Sequence, residues 1–443
     1  MDRADAKKGL TVVAVFSHTA SPRLLYVLDF LSDYYGLPFR LATDPGALDA
    51  EPRARIAYTV EAGPGSLHIV PHGLLSATGT APVETVVYDH EAGYKAFFRT
   101  GGDTGFDVFA AIFWLLSRYE EYSPHETDAY GRYAVENSLA FRAGFLKVPL
   151  VNRWLEDLRK RLVSIDPSFP AATPPLLFQP TYDIDMAWSF RGKGAWRNTG
   201  GFLRSLALGR PGDALTRIRV LLGQVPDPFD CYAWLDDLHD RYGLRPVYFF
   251  HVCAHRNRYD KSIPAHVPSV RALIRETAGK ARIGLHPSWH SGDAPAALLD
   301  EKKALEEAVG QPVDLSRQHY IRFSLPGTFR QLVAAGIHAD FSMGYGSCNG
   351  FRASVAAPFR WYDLERDEVT ALVLHPFCFM DANAFYEQKM SPAEGLEELN
   401  EFRNEISRTG GILLTIWHNS FLGTDRSLAG WREMYERVVS CEK

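Results

Sequence analysis

From residue 176 onward the chain alternates strand-like and helix-like segments, and this alternation restricts the fold more than any other feature. Strand-like stretches fall at 176–183, Pro246–Cys253, Arg282–His286, Arg317–Ile321, Ala339–Tyr345, Thr370–Pro376 and Ile412–Trp417. Helical periodicity lies between most of them, at Phe229–Tyr242, Ser269–Thr277, Ala296–Val309, Thr328–Ala335 and Pro392–Arg408. Strands separated by helices pair in parallel through right-handed crossovers. About seven such units over roughly 265 residues have the size of a (β/α) barrel, complete or irregular. Upstream, a strand-like Thr11–Phe16, a helix-like Arg23–Tyr34 and a long apolar helix at Phe106–Tyr119 predict a smaller α/β domain over 1–165. The proline-rich stretch 166–175 reads as the linker, which leaves 176–443 as the barrel.

A net charge of −5 and a pI near 6.3 argue against a general nucleic-acid binder, which would carry a basic patch or stripe. The five cysteines form no CxxC pair and read as reduced thiols. Met1–Leu10 holds five charged residues and no apolar stretch of a signal peptide. The apolar run Val108–Leu116 is too short to span a bilayer. A cytoplasmic protein without a membrane span is expected.

In barrels of this kind chemistry sits at the C-terminal ends of the strands. The first barrel strand runs into Thr181-Tyr-Asp-Ile-Asp185, which places Asp183 and Asp185 on one face. A metal ion with a general base is the usual use of such a pair, and an Asx-turn closing the strand is the plain alternative. Three HxxxH pairs occur: His68/His72, His251/His255 and His286/His290. The last is favoured as a ligand pair, because Gly284 and Pro287 mark a sharp exit from the strand. His251/His255 is its rival, and two surface loop histidines are the alternative to both. Arg317 can orient a carboxylate through its planar fork, or simply lie at the surface. Asp340 can hold the second nitrogen of a histidine or cap its strand. His418 ends the last buried strand, where a satisfied core histidine is the competing reading. His319 and His375 also lie near strand ends. Trp188, Trp289 and Trp417 can form stacking faces for a sugar ring or pack the barrel mouth. Arg118, Glu120 and Glu121 read as a solvated or salt-bridged helix end, and Arg191-Gly-Lys-Gly194 as a basic turn that an anionic substrate would suit.

This ordered set resembles the polysaccharide deacetylases of the NodB-homology type, carbohydrate esterase family 4. The family's Thr-Phe-Asp-Asp motif is similar to Thr181–Asp185, its His-[Ser/Thr]-x-x-His motif to His286–His290, and its Arg-x-Pro-Tyr motif to Arg317–Tyr320. Its fourth motif, built around an Asp, corresponds to Asp340, and its final hydrophobic strand ending in His to His418. The likeness covers about residues 176–420. Residues 1–165 resemble the N-terminal region of bacterial proteins with such a catalytic half, notably at Phe106–Phe109, Tyr119–Glu121 and Gly131–Tyr133. Here Ile184 separates the acids, Pro287 replaces Ser/Thr, Gln318-His319 replaces x-Pro, and Asn419 follows the last histidine where an Asp is common.

The resemblance implies an irregular (β/α)7-type NodB-homology barrel preceded by a smaller α/β domain, and a hydrolase of non-peptide carbon–nitrogen bonds. It implies a divalent ion on Asp185, His286 and His290, zinc first, with cobalt or nickel also compatible. Asp183 would be the base, Arg317 its orienting partner, Tyr320 an oxyanion contact through its backbone N–H, and His418, oriented by Asp340, the acid. The substrate would be a carbohydrate or a small N-acyl molecule, with acetyl the expected acyl group. Two alternatives stand beside this reading: hydrolysis of another C–N or ester bond, and a carbohydrate-binding barrel without catalysis.

Overall fold

The computed structural model describes residues 12–44, 54–62, 65–253 and 256–441; Met1–Leu10 and His255 lie outside them. The N-terminal part is built on a parallel sheet of β1 (Val13–Phe16), β2 (Phe39–Ala42), β3 (Ala54–Tyr58) and β4 (Leu67–Ile69), in the order β2-β1-β3-β4. All four residues of β1 are buried, as expected of a central parallel strand covered on both faces. Helix α1 (Pro22–Tyr35) starts on the Ser21 cap with proline at its first position and stops at the left-handed Gly36. A short ladder of β5 (Tyr88–Asp89) and β6 (Lys95–Ala96) follows. Helix α2 (Val108–Leu116) has all nine residues buried, which is what an all-round apolar sequence requires. Its buried cap Asp107 accepts from Ala110 N, His72 N and the Tyr58 hydroxyl. Helices α3 (Leu139–Arg142) and α4 (Leu150–Ile165) complete this part.

The second sheet has nine strands. Those are β7 (Leu176–Ile184), β8 (Val247–His251), β9 (Arg282–His286), β10 (Leu315–Ser316), β11 (Ala339–Asp340), β12 (Phe359–Asp363), β13 (Glu368–Leu374), β14 (Phe379–Met380) and β15 (Gly411–His418). Their order is β12-β13-β11-β10-β9-β8-β7-β15-β14, with every pairing parallel except β12 with β13. The sheet is therefore mixed and irregular, with β12 and β14 at its edges. A helical hairpin of α5 (Gly194–Ala207) and α6 (Pro211–Leu221) follows β7. The covering helices are α7 (Tyr232–Tyr242), α8 (Pro268–Ala278), α9 (Pro295–Val309), α10 (Gly327–Ala334), α11 (Pro392–Thr409), α12 (Asn419–Leu422) and α13 (Trp431–Ser440).

Three expected strands are placed differently. Residues 317–321 leave the sheet after β10, because Tyr320 and Ile321 both take left-handed backbone angles that no strand accommodates. The strand expected over Ala339–Tyr345 stops at Asp340, whose carboxylate caps Ser342 N and ends the ladder. Thr370–Pro376 is instead Glu368–Leu374, paired in parallel with β11 as expected and antiparallel with β12 on its other edge. Gly284 sits within β9, where a Cβ would lie 2.4 Å from the Phe249 ring; it leaves room for that ring rather than turning the chain. The proline-rich stretch 166–175 carries Phe169 into the apolar core, and that core is continuous across both sheets.

Candidate active site

Parallel pairing lines up the strand ends, and β7, β9 and β15, with the segments that follow β10 and β14, deliver polar residues to one pocket of about 460 Å³. Alternation along β7 sends Tyr182 to the helix-covered face, where its hydroxyl meets His239 and Tyr435. Asp183 and Asp185 project from the opposite face into the pocket. Asp183 is buried and Asp185 remains 39% exposed.

His286 Nδ1 lies 2.5 Å from the Arg317 carbonyl, to which it must donate. That leaves the lone pair of Nε2 facing Asp185 Oδ1 at 3.2 Å and Asp183 Oδ2 at 3.8 Å. His319 is arranged the same way. Its Nδ1 lies 3.0 Å from Asp260 Oδ1, and its Nε2 stands 3.7 Å from Asp185 Oδ1. Asp185 Oδ1 itself has no hydrogen-bond partner. A carboxylate oxygen and two imidazole nitrogens thus converge within 4.8 Å of one another, with no donor between them. Three acceptor atoms facing one another favour a cation among them, and their chemistry suits a divalent ion.

His319, not His290, completes this group. His290 lies at the exposed start of a short turn beyond β9. Pro287 and Ser288 carry the chain away from the pocket, with Ser288 N held by Glu301. The left-handed bend at Tyr320 and Ile321 turns His319 inward instead. A second group, His251, Asp260 and His319, lies behind the first and shares His319 with it. His251 Nδ1 meets the His286 carbonyl at 3.0 Å and Nε2 lies 3.4 Å from Asp260. Burial disfavours its charge, but Asp260, Cys253 and Asp185 together outweigh that and hold the imidazole up at about 10, so His251 is a cation beside Asp260. Burial, then His251, pushes His319 down to about 4 and keeps it neutral, as a ligand must be.

Fully buried behind Asp183, Arg317 donates from Nη1 to Asp183 Oδ1 at 2.8 Å and from Nε to the Phe341 carbonyl at 3.0 Å. Its guanidinium lies 4.4 Å from the centre of the Phe249 ring, the ring that Gly284 admits. His418 Nδ1 meets Asp381 Oδ1 at 2.6 Å, and its backbone N–H donates to Asp381 Oδ2 at 2.7 Å. Burial opposes the charge of His418, but Asp381 prevails and holds the imidazole up at about 10. His418 Nε2–H therefore faces the pocket as a proton donor, 4.0 Å from Asp185 Oδ2.

Asp340, expected beside His418, instead accepts from Ser316 Oγ at 2.6 Å and Ser342 N at 2.9 Å. Burial pushes its carboxyl up to about 6. It braces the loop, since Ser342 Oγ in turn accepts from Gln318 N. Trp188, Trp289 and Trp417 lie outside the pocket lining. Trp188 is buried beneath Arg191, Trp289 stacks on Tyr259 at 4.0 Å, and Trp417 donates to Thr415 Oγ1 within the core. His375 stacks on Phe341 and also stays out of the pocket. Tyr320 does line it.

The N-terminal part supplies two further lining residues, Tyr130 and Arg132. Arg132 Nη1 donates to the carbonyls of Tyr320 at 3.0 Å and Gly346 at 2.8 Å, while Nε pairs with Asp128 at 2.6 Å. Tyr130 stacks on Tyr320 at 5.4 Å. The Gly131–Tyr133 stretch noted in the sequence is thus the one that reaches the pocket.

Residues 13–167 match a family of unknown function, DUF7033. No curated protein matches the chain. Among solved structures, a putative polysaccharide deacetylase from Mycobacterium smegmatis is 16% identical, with 61% of this chain and 85% of that one covered and a TM-score of 0.38. The Puue allantoinase is 12% identical, covering 61% and 89% at a TM-score of 0.37. A family 4 pseudoenzyme from Bacillus anthracis is 10% identical, covering 60% and 66% at 0.28.

Proposed function

We propose that this chain is a metal-dependent hydrolase that removes an acyl group, acetyl first, from an N-acylated sugar or small glycan. The observation that carries the reading is Asp185 Oδ1, an unpartnered carboxylate oxygen facing two imidazole nitrogens whose other nitrogens are already committed. Asp185, His286 and His319 would hold a divalent ion, zinc first. When bound, that ion acidifies water and polarises the acyl carbonyl.

The remaining steps belong to the chain. Asp183, oriented by the Arg317 fork, accepts a proton from the attacking water. Tyr320, which lines the pocket, would offer its backbone N–H to the oxygen on which charge develops. His418 Nε2–H gives its proton to the departing amine nitrogen, and Asp381 keeps the imidazole upright and charged until then. Tyr130 and Tyr320 offer aromatic faces beside these groups. A cavity of about 460 Å³ has room for a small ligand rather than a long polymer segment.

The test is elemental analysis of purified wild type, Asp185→Ala, His286→Ala and His319→Ala, paired with turnover of N-acetylated sugars. Roughly one equivalent of metal in wild type, lost in all three variants, is expected. Asp183→Asn should keep the metal and lose turnover. A wild type that takes up neither zinc, cobalt nor nickel would overturn the reading.

A further inference from the structure

The helical hairpin after β7 has a surface unlike the rest of the molecule. Residues 191–223 contain seven lysines and arginines against the single acid Asp213, in a chain of net charge −5. Eight of its large apolar side chains are exposed: Trp196 at 89%, and Leu203, Leu206, Leu208, Leu215, Ile218, Leu221 and Leu222. Only Asn198, Ala214 and Val220 of α5 and α6 are buried. Trp196 and Leu203 stand seven residues apart, and Leu215, Ile218 and Leu222 follow the three- and four-residue steps of one helix face. The apolar side chains therefore form stripes along both helices, with arginines interleaved.

The hairpin is firmly rooted. Buried Asp227, just past its far end, accepts from the backbone N–H groups of Ser189, Phe190 and Arg191 at its near end. The root lies at the end of β7 that carries Asp183 and Asp185, on the same side as the pocket mouth. Its cations are crowded: burial, then Arg197, pushes the Lys193 ammonium down to about 8.

We infer that α5 and α6 dock the protein onto an anionic lipid bilayer, lying in the plane of the interface. An amphipathic, basic helix pair with an exposed tryptophan has the chemistry of an interfacial element. The apolar stripes enter the acyl boundary while the arginines meet lipid phosphates, each worth about 1 kcal/mol near an anionic leaflet. A two-fold pairing of hairpins from two copies is disfavoured, because it would set like charges against each other. Docking would hold the pocket mouth close to the membrane surface. This is independent of the metal and of turnover. It is also distinct from spanning, since no helix among the described residues is long and apolar enough to cross a membrane.

The experiment is co-sedimentation of the full chain with vesicles of phosphatidylcholine alone or mixed with phosphatidylglycerol, at low and high salt. The wild type should pellet with the anionic vesicles, stay in solution with the neutral ones, and be released by salt. Arg204→Glu/Arg219→Glu should weaken binding by roughly tenfold or more. Trp196→Ser/Leu222→Ser should weaken it while leaving every charge in place. All four positions are exposed, so an unchanged melting temperature serves as the folding control. Equal behaviour with both vesicle types overturns the inference. So does a Trp196→Ser/Leu222→Ser variant that binds as well as wild type, or a wild type that ignores lipid and dimerises through Trp196.

Discussion

At the scale of the residue, the site works by committing one nitrogen of each imidazole and aiming the other. His286 and His319 donate through Nδ1 and offer Nε2 as a lone pair; His418, held by Asp381, offers Nε2 as a proton. Asp381→Asn keeps the size of the carboxylate and removes its charge, so His418 loses the partner that keeps it protonated. The variant should retain full metal content, because Asp381 does not touch the ligand group, and should lose turnover by about 10²- to 10⁴-fold. Asp340→Asn, on the Ser316–Ser342 brace, should fall far less. Parallel kinetics and metal assays on the two variants distinguish the assignments, and equal losses would return the orienting role to Asp340. His290→Ala should likewise leave metal content unchanged. The acids of β7, His286 and His418 are legible because each closes or follows an apolar run, and Arg317 only through its place between them in the ordered set. Asp381 is not, because the two-residue strand β14 leaves no periodicity to read.

At the scale of the element, the loop after β10 decides which histidine reaches the cluster. A local sequence reading extends Arg317–Ile321 as a strand, whereas two successive left-handed residues bend it into the pocket. Such angles cost roughly 1–3 kcal/mol each for residues with a side chain and persist only where surroundings enforce them. Arg132 is part of that enforcement, through the carbonyls of Tyr320 and Gly346. Its contact with Tyr320 spans 188 residues, so no local pattern announces it. Arg132→Ala should relax the bend and let His319 drift from Asp185, weakening metal affinity by about 10- to 100-fold, as loss of a ligand's support typically does. A competition titration with a zinc chelator measures this directly. Unchanged affinity would show that Asp260 alone positions His319. β7, β8, β9 and β15 are readable because each contains a buried run of at least four residues bounded by turn or helix signals. The antiparallel β12–β13 pair was missed because its turn rests on Asp367 in a left-handed conformation, a signal that only glycine would have made visible.

At the scale of the molecule, the two parts are joined by buried charge as well as by a shared core. Glu121, which the sequence presents as a solvated or salt-bridged helix end, is fully enclosed. Its Oε1 and Oε2 accept from Arg352 at 2.8 and 2.6 Å, and Oε1 also accepts from Arg118 at 2.7 Å. Arg352 belongs to the second sheet's loops and reaches the Gly344 carbonyl as well. Arg23 with Asp367, and Asn152 bridging the Gly410 carbonyl and Ala356 N–H, tie the same seam. Burial raises the Glu121 carboxyl, but Arg352 and Arg118 more than offset it and hold it down at about 2 from an ordinary 4.5. A folded-state value below the unfolded one stabilises the fold above about pH 4.5, and that contribution is lost as pH falls toward 2. Glu121→Gln removes the charge at every pH and leaves two arginines buried against a neutral amide, a change that costs about 3–5 kcal/mol. Urea melts across pH 2–7 should show wild type losing stability steeply in acid. The variant should start lower at neutral pH and fall less steeply below 4.5, so the two curves converge. Parallel curves would mean that other carboxylates carry the acid sensitivity and that this seam contributes packing alone.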